Sequence, residues 1–458
     1  MATRTQTEQK RREIEAKYDD PRRALIDPDY PLRIALLVYR GNPHSGGQGV
    51  YIRHLSRELT ELGHEVTVFS GPPYPHLDAG VAMVPVPSLE LYRNPDAFRV
   101  PALSEFGDLV DLAEFGVMCT AGFPEPASYS WRLRAELAPQ RDEFDIVHDN
   151  QCLGPGILKL NREGFPLITT IHHPITVDRD LDLAHAGSLR RSLTLRRWYG
   201  FLRSQIRVAR RVPYIITVSE SSRRDISADM KIPAERMRIV PVGVDERVFG
   251  PRPDVARVPG RIMTTASADV PMKGVRPLLE AIAKVRTERD VELVVIGRAR
   301  EIAKRSIAEL DLADCVRFET GISDEELIRL YAEAEVAVVP SLYEGFSLPA
   351  AEAMACGVPL VATTGGAIPE VVGTSGETGV LVEPGNPDAL AQGILQVLND
   401  REFAATIGAA GRERVLSRFT WRACAEGTAA EYRRYLASHF NLTSKVSSEP
   451  SSLPTGRP

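Results

Sequence analysis

Two successive runs of short apolar strands and amphipathic helices are the feature of this 458-residue chain that most restricts its fold. The first run contains the apolar segments RIALLVY, HEVTVFS, FDIVHD, PLITTIHH, YIITVSE and MRIVPVG. The second run contains RIMTTAS, VELVVIG, EVAVVPS and VPLVATT. Apolar strands of this length that alternate with helices are typical of parallel sheets covered by helices on both faces. The sequence therefore predicts an α/β chain with two doubly wound domains.

The expected domain boundaries follow changes in composition along the chain. A segment rich in Pro, Arg and Gly, DERVFGPRPDVARVPG, separates the two runs and is typical of a linker. We therefore place a first domain at 31–248 and a second at 249–420. Residues 1–30 are charged and predict a disordered or helical arm, and the Ser- and Pro-rich residues 441–458 predict a disordered tail. Ligands in doubly wound sheets bind beyond the carboxyl ends of the strands, so we expect a site in a cleft between the domains.

Charge and composition exclude several classes of protein. The net charge is −5 and the isoelectric point is about 6.1, so we expect no overall attraction to nucleic acid. No apolar run is long enough to span a bilayer, and the first residues lack the apolar core of a secretory signal. The five cysteines are scattered without a C-x-x-C pair, which argues against a zinc site or a disulfide framework. We expect a cytoplasmic protein without a metal site.

A glycine-rich loop, HSGGQG, follows the first predicted strand and precedes a helix with leucines at helical spacing. Glycines such as Gly46 and Gly47 let a ligand approach the backbone, and a helix N-terminus favours an anion. The loop lacks the G-x-G-x-x-G pattern and no acid ends the next strand, so a nicotinamide dinucleotide site is weakly supported. The alternative is a tight structural turn.

Two histidines, His172 and His173, end the predicted strand PLITTIHH. Side chains at this end of a parallel strand emerge into the predicted cleft. A histidine there can donate a hydrogen bond to a substrate hydroxyl or to a developing oxyanion. The alternative is a structural histidine that bonds only the backbone.

The segment EGFSLPAAEAMACG, residues 344–357, combines two carboxylates with an apolar helix. Pro349 favours a first helical turn, so the turn 345–348 presents free backbone N–H groups of the kind that bind anions. Glu352 lies about one turn inside the helix, and helical side chains tilt back toward the N-terminus. Its carboxylate is therefore placed to accept two ribose hydroxyls. The alternative is a glutamate that faces solvent, which the apolar AAEAMA segment disfavours.

Lys273, in VPMKG, lies in the loop after the first strand of the second domain. A lysine at this point can reach a diphosphate as a point charge. Alone this signal is weak, because most lysines are simply solvated.

Together these motifs resemble the retaining glycosyltransferases of family 4 over most of residues 32–440. The most specific part is the E-x7-E pair, Glu344 and Glu352, followed by CGVPLVATTGGAIPEVV. The segments SGGQGVYIRHLSRELTELGHEV, TIHH, TVSE, PVGVD, MKG and VIG support it. The resemblance implies the GT-B architecture, in which two Rossmann-like domains face each other across a cleft. The first would be the acceptor side and the second the donor domain, and a C-terminal helix, here 421–440, would cross back to the first domain.

The resemblance also implies a role for each matching residue. Glu344 would contact hydroxyls of the transferred sugar, and Glu352 would bind the ribose. Lys273 would neutralise the diphosphate, and His172 would contact the donor sugar with His173 behind it. The remaining donor contacts would come from Gly46, Gly47 and the backbone N–H groups of Phe346, Ser347 and Leu348. The strand VRF, residues 316–318, and Gly321 would flank the base through backbone contacts. No cofactor or metal ion is implied.

The sequence departs from the family pattern at the diphosphate. The family usually has an arginine six positions before the lysine, whereas this chain has Ser267 there. Without an arginine at this position, the chain lacks a positive charge that would contribute to donor affinity or to stabilisation of the leaving group. We hypothesise that Arg298 supplies the charge, because it follows the next strand at the same sheet edge.

The activity implied by the resemblance is transfer of a sugar, with retention, from a nucleoside-diphosphate sugar to a carbohydrate, lipid or small-molecule acceptor. Two alternatives stay open. One is a sugar phosphorylase on the same fold, and the other is a catalytically weak nucleotide-sugar-binding protein, for which Ser267 is the best argument. The residues indicate neither the sugar, the base, the acceptor nor the oligomeric state.

The stretch LRRSLTLRRWYGFLRSQIRVARR, residues 189–211, carries many arginines and no acid. Two interpretations stay open. A basic amphipathic helix of this kind can lie on an anionic surface, here the inner face of the membrane. Alternatively, the stretch is one long helix whose apolar stripe packs on the sheet while its arginines are solvated.

Overall fold

Two parallel β-sheets with helices on both faces form the chain. The computed structural model describes residues 4–42, 47–93, 95–184, 186–265 and 271–442. The strands of the first sheet are β1 (Arg33–Val38), β2 (Glu65–Ser70), β3 (Ala82–Pro85), β4 (Ile146–Asn150), β5 (Leu167–Ile171), β6 (Tyr214–Thr217) and β7 (Met237–Ile239). Their order across the sheet is β3-β2-β1-β4-β5-β6-β7, and the neighbouring strands are parallel.

The second sheet repeats this arrangement. Its strands are β8 (Arg261–Thr265), β9 (Glu292–Ile296), β10 (Val316–Glu319), β11 (Val336–Val339), β12 (Leu360–Thr363) and β13 (Val380–Val382). Their order is β10-β9-β8-β11-β12-β13, again with parallel neighbours. The strand order reverses between β1 and β4 in one sheet and between β8 and β11 in the other. Such a reversal opens a crevice at the carboxyl ends of the strands, where ligands bind.

Helices connect the strands and cover the sheets. In the first half of the chain they are α1 (Arg4–Glu15), α2 (Gln48–Glu61), α3 (Leu109–Cys119), α4 (Glu125–Leu137), α5 (Pro155–Arg162), α6 (Thr176–Ala184), α7 (Leu189–Trp198), α8 (Leu202–Ala209) and α9 (Glu220–Met230). In the second half they are α10 (Val275–Val285), α11 (Glu301–Glu309), α12 (Asp324–Glu333), α13 (Leu348–Ala355), α14 (Ile368–Val372), α15 (Pro387–Asn399), α16 (Arg401–Arg418) and α17 (Trp421–His439). In the described part of the chain, none of the helices combines the length and apolarity that crossing a bilayer requires.

The central strands are buried on both faces because helices cover both sides of each sheet. In β1, Ile34, Leu36 and Val38 belong to the core that contains α2 and α17. Ala35 and Leu37 belong to the opposite core, which contains α4 and α5. Successive residues of a strand thus face different helical layers. The predicted doubly wound arrangement is confirmed.

The C-terminal helix α17 crosses back onto the first domain. Its Tyr432 hydroxyl lies 2.7 Å from Nδ1 of His148 in β4. The helix begins at Trp421. Two residues earlier in the chain, the carbonyl of Phe419 accepts a hydrogen bond from the backbone N–H of Val244, at 2.8 Å. The two segments that connect the domains therefore lie side by side. The crossing helix implied by the family resemblance is confirmed.

Two strands were not predicted from the sequence. β3 lies at the edge of its sheet and is largely exposed, and its segment AMVP has only four residues and ends in a proline, which disfavours a strand. β13 has three residues and also lies at an edge. Short edge strands carry a weak sequence signal because one side of the strand has no neighbour to pack against.

The N-terminal arm and the basic segment are both largely helical. In the arm, α1 is helical and its Ile14 is buried against the first domain. One interpretation of 189–211, a single long helix, is wrong: a 3-10 turn, Tyr199–Phe201, separates α7 from α8. The break coincides with aromatic packing, since the Trp198 ring lies 5.1 Å from the ring of Phe123. Most of the predicted tail lies outside the described residues.

Candidate active site in the interdomain cleft

A cavity of about 460 Å³ lies between the two domains. The first domain lines it with residues that follow β1, β4 and β5, and the second with residues that follow β8 and β11. These strands lie at or beside the point where the strand order reverses in each sheet. The cavity brings together predicted site residues from both domains: Gly47, His172, Lys273, Glu344, Phe346, Ser347 and Leu348.

The loop after β11 enters α13 through an uncommon backbone conformation. Ser347 has φ 92° and ψ 76°, a left-handed conformation that costs a non-glycine residue roughly 1–3 kcal/mol. Its hydroxyl is buried, and no described group hydrogen-bonds it. Beyond it, Leu348 and Pro349 form the first turn of α13, where backbone N–H groups have no acceptor within the helix. The helix start is therefore an anion-binding position at the wall of the cavity.

Lys273 and Glu344 form an ion pair in the cavity. The Nζ of Lys273 donates to Oε1 of Glu344 at 2.6 Å, and the Ser341 hydroxyl donates to the same oxygen at 2.7 Å. Gly274 allows this approach: its φ is 63°, and a Cβ at this position would lie 1.9 Å from the carbonyl oxygen of Pro340. The glycine after the lysine is therefore required for the loop after β8 to pack against the end of β11.

His172 is held by residues at the end of β4. Its Nε2 lies 2.7 Å from Oδ1 of Asn150, and its backbone N–H donates to Oε1 of Gln151 at 2.7 Å. The ring of Tyr51 packs edge-on against the imidazole at 4.6 Å. Burial is the main cause that lowers the pKa of His172 to about 3. The side chain is therefore a neutral imidazole at ordinary pH.

Hydrogen bonds across the domain boundary hold the two walls of the cavity together. The Ser219 hydroxyl donates to the carbonyl of Gly345 at 2.7 Å. The Ser222 hydroxyl donates to the carbonyl of His172 at 2.7 Å and lies 3.2 Å from the carbonyl of Gly345. The Glu370 carboxylate accepts two backbone N–H groups at the start of α9, at 2.8 and 2.7 Å. A negative charge is favourable at this end of a helix.

Two predicted donor-binding residues do not line the cavity. Glu352 lies on α13 beside Tyr331, and burial raises the pKa of Glu352 to about 7. Arg298 follows β9 and is exposed. Gly46 and Ser267 lie outside the described residues. The roles assigned to these positions stay predictions.

The chemistry of the cavity is that of charge and hydrogen bonding. The cation and the helix start suit a diphosphate, whereas the carboxylate of Glu344 and the neutral ring of His172 suit hydroxyl groups. Within the ranges that the structure covers, there is no group of three or more His, Cys, Asp or Glu side chains that could hold a metal ion.

Several supporting residues were missed by the sequence analysis: Tyr51, Asn150, Gln151, Ser219, Ser222, Glu370 and Trp421. A signal existed for some of them. TVSE and PEVV carry Ser219 and Glu370, and both segments belong to the family resemblance. Asn150 directly follows the predicted strand FDIVHD and ends β4 in the structure, but an amide side chain has no chemistry of its own to single it out.

Two family profiles match the chain and together cover both domains. "Glycosyltransferase Family 4" matches residues 45–248, and "Glycosyl transferases group 1" matches residues 255–414.

Relatives match over most of their length. The chain is 51% identical over 409 residues to the MMP alpha-(1->4)-mannosyltransferase of Mycolicibacterium hassiacum. The aligned region covers 89% of this chain and 99% of that protein. It is 30% identical over 433 residues to D-inositol 3-phosphate glycosyltransferase 2 of Catenulispora acidiphila, and that alignment covers 88% of this chain and 95% of that protein.

Solved structures share the fold. Sucrose-phosphate synthase from Thermosynechococcus elongatus has a TM-score of 0.67 at 24% identity, over 89% of this chain and 100% of that one. Anabaena HepE in complex with UDP and glucose has a TM-score of 0.63 at 19% identity, over 87% of this chain and 99% of that one. These similarities confirm the predicted GT-B architecture. With the family profiles and the relative from M. hassiacum, they confirm the family resemblance as well: the chain belongs to the group 1 glycosyltransferases of family 4.

Proposed function

We propose that the protein transfers a mannosyl residue from a nucleoside-diphosphate sugar to a hydroxyl group of a saccharide, with retention of the anomeric configuration. The observation that carries the proposal is one cavity in which Lys273, Glu344 and the start of α13 meet His172 of the other domain. The choice of sugar and linkage is supported by the 51% identity to an MMP alpha-(1->4)-mannosyltransferase. An α-linked product formed from an α-linked donor requires retention.

The donor diphosphate is expected to lie between Lys273 and the start of α13. Lys273 is paired with Glu344 at 2.6 Å. When a diphosphate binds, Lys273 turns to it and releases the Glu344 carboxylate to accept hydroxyls of the sugar. Glu352 is proposed to accept the ribose hydroxyls, and Arg298 to add positive charge at the diphosphate. This arrangement assigns charge neutralisation to side chains and to the helix start.

In the proposed reaction, the acceptor oxygen attacks the anomeric carbon from the face that the diphosphate leaves. The new bond between carbon and oxygen forms as the bond to the diphosphate breaks, and the acceptor proton passes to the departing phosphate oxygen. Lys273 and the start of α13 stabilise the negative charge that develops there. The domains hold donor and acceptor in contact, which supplies a large share of the acceleration.

The proposal is tested with purified protein, GDP-, UDP- and ADP-linked mannose and glucose, and α-(1→4)-linked manno-oligosaccharides. We expect release of nucleoside diphosphate that depends on the acceptor, an α-linked product by NMR, and loss of both in Lys273→Ala. A sugar phosphorylase would instead release sugar 1-phosphate from the oligosaccharide when inorganic phosphate is added. A binding protein would bind a donor without releasing nucleoside diphosphate from it.

We also propose that α7 contacts an anionic membrane surface. Leu189 and Leu193 are 78% and 57% exposed and lie one helical turn apart on the same face. The neighbouring arginines Arg190, Arg191 and Arg196 are exposed, and none forms an ion pair with an acid in the described part of the chain. Apolar side chains flanked by unpaired cations are complementary to anionic lipid headgroups over acyl chains.

Cosedimentation with vesicles of phosphatidylcholine, with and without phosphatidylglycerol, tests this contact. We expect binding only to the anionic vesicles, weakened by salt and lost when Arg190, Arg191 and Arg196 are replaced by Gln. A control variant with Arg162, Arg305 and Arg401 replaced by Gln removes the same charge from exposed positions elsewhere. Equal binding by both variants, or no binding at low salt, would overturn the proposal.

A further inference from the structure

The carboxyl end of β4 holds two buried amide side chains that the proposed reaction does not use. Asn150 and Gln151 are 0% and 2% exposed. Parallel pairing places Asn150 beside Thr170 of β5, so both amides lie next to the chain that continues from β5 to His172. Gln151 has φ 51°, a left-handed conformation that a non-glycine residue adopts only when its surroundings impose it.

The Gln151 side chain hydrogen-bonds the backbone of both His172 and His173. Its Oε1 accepts the backbone N–H of His172 at 2.7 Å, and its Nε2 donates to the carbonyl of His173 at 2.7 Å. The carbonyl of His172 in turn accepts the Ser222 hydroxyl. The backbone that carries the His172 ring is therefore fixed by hydrogen bonds on three sides.

The Asn150 side chain contacts the imidazole ring of His172. Its Nδ2 is directed to the carbonyl of Gln48, at 3.5 Å, which leaves Oδ1 to face the imidazole. Oδ1 lies 2.7 Å from Nε2 of His172, and an amide oxygen accepts but does not donate. The proton must therefore be on Nε2. The other nitrogen, Nδ1, has no hydrogen-bond partner among the described residues, and His172 lines the cavity.

We propose that Asn150 is a positioning residue that fixes His172 as a neutral ring protonated on Nε2, so that Nδ1 is a hydrogen-bond acceptor facing the cleft. In this form, Nδ1 accepts a hydrogen bond from a hydroxyl of the bound sugar. This use of Nδ1 rests on the proposed sugar transfer, whereas the protonation state of the ring does not. An amide, rather than a carboxylate, is required at position 150, because a carboxylate would favour the charged ring.

The charged groups around His172 fit this assignment. On its own segment, His173 is paired with Asp178 of α6 at 3.0 Å. On β4, His148 is buried between Tyr432 and Thr170, and burial raises the pKa of Asp149 to about 7. In the second domain, Lys273 and Glu344 neutralise each other. No described carboxylate is thus hydrogen-bonded to the His172 ring, and burial keeps the ring neutral.

Asn150→Asp tests the proposal through the pH profile. A carboxylate beside Nε2 should raise the pKa of His172 by roughly 1–3 units. The variant should then gain an acid limb: between about pH 8 and pH 5, its kcat/KM should fall by up to roughly tenfold more than that of the wild type, according to how far the pKa of His172 rises. Asn161→Asp, which adds the same charge on α5, is the matched control and should follow the wild-type profile.

Nitrogen NMR of histidine-labelled protein provides a readout that does not depend on activity. The His172 ring of the wild type should show a protonated Nε2 and a bare Nδ1, Asn150→Asp should show a ring that gains a proton on acidification, and Asn150→Ala a mixture of neutral tautomers. A wild-type ring protonated on Nδ1, or an Asn150→Asp ring and profile like those of the wild type, would overturn the proposal. If the ring behaves as expected but no sugar is transferred, the proposed function fails while the assignment of Asn150 stands.

Discussion

The hydroxyl of Ser219 donates a 2.7 Å hydrogen bond to the backbone carbonyl of Gly345, across the boundary between the two domains. Gly345 directly follows Glu344, the carboxylate that faces the cavity. A Cβ on Gly345 would lie 3.1 Å from the carbonyl of His172, so the loop after β11 and the segment that follows β5 touch closely. The position of Glu344 is therefore coupled to the closure of the two domains.

Glu370→Ala should weaken this closure. The carboxylate accepts two backbone N–H groups of α9, and hydrogen bonds to a charged group contribute about 1.5–3 kcal/mol each at most. We expect a larger radius of gyration in solution scattering and a higher KM for the donor, because less of the protein is in the closed form. Glu377→Ala, an exposed glutamate nearby, should change neither quantity. Scattering curves and KM values equal to those of the wild type would refute the role given to Glu370.

Lys273→Ala should reduce catalysis far more than stability. Removal of one group that stabilises developing charge commonly costs about 10²–10³ in rate, and we expect kcat/KM to fall by that order. The pair with Glu344 is partly exposed, so the free energy of unfolding should change by less than about 1 kcal/mol. Lys284→Ala breaks a surface pair with Asp388 in the same domain and should leave kcat/KM unchanged. Equal losses in the two variants would show that the charge at position 273 has no special role.

Much of the fold and part of the site could be predicted because the underlying physics is local. Strands covered on both faces, such as β1 and β11, are apolar along most of their length and stand out in the sequence. The family resemblance implied that Lys273, Glu344 and the start of α13 share a ligand, and each of them follows a strand at the carboxyl edge of the sheet, where ligands bind. The structure places these groups in one cavity.

The remaining features depend on relationships that the sequence does not display. The contact of Asn150 with His172 follows from the register of β4 against β5, and that register is set by the whole sheet. The contact of Glu370 with α9 follows from the angle between the domains. The placement of Glu352 beside Tyr331 depends on the rotation of α13 about its axis. Each of these needs tertiary packing, which acts on side chains that look ordinary in the sequence.

Glu352 should make stability depend on pH in the direction opposite to that of most acids. Burial raises its pKa to about 7, above the ordinary value of 4.5, so the folded protein holds a proton that the unfolded chain releases. The stabilisation is complete below the unfolded pKa and is lost as pH rises through about 7. In urea unfolding, the free energy of unfolding of the wild type should fall by up to about 1.4 kcal/mol per pH unit, relative to Glu352→Gln, between the ordinary pKa of 4.5 and the raised pKa of about 7. Glu309→Gln, at an exposed position on α11, should parallel the wild type, and parallel curves for Glu352→Gln would contradict the expectation.

Arg298→Ala tests whether this exposed side chain supplies the charge that the family usually places at position 267. Arg298 follows β9, the neighbour of β8, whose loop carries Lys273, so a long side chain there starts from the same sheet edge as the proposed diphosphate position. We expect kcat/KM to fall roughly tenfold, which corresponds to about 1.4 kcal/mol, since an exposed cation acts through solvent. The loss should shrink as salt is added, because ions screen exposed charges within about 10 Å at 0.1 M. Arg305→Ala removes an exposed arginine from α11 and should have no effect at any salt concentration. An unchanged kcat/KM for Arg298→Ala with the correct donor would show that the diphosphate is neutralised without Arg298, by Lys273 and the start of α13.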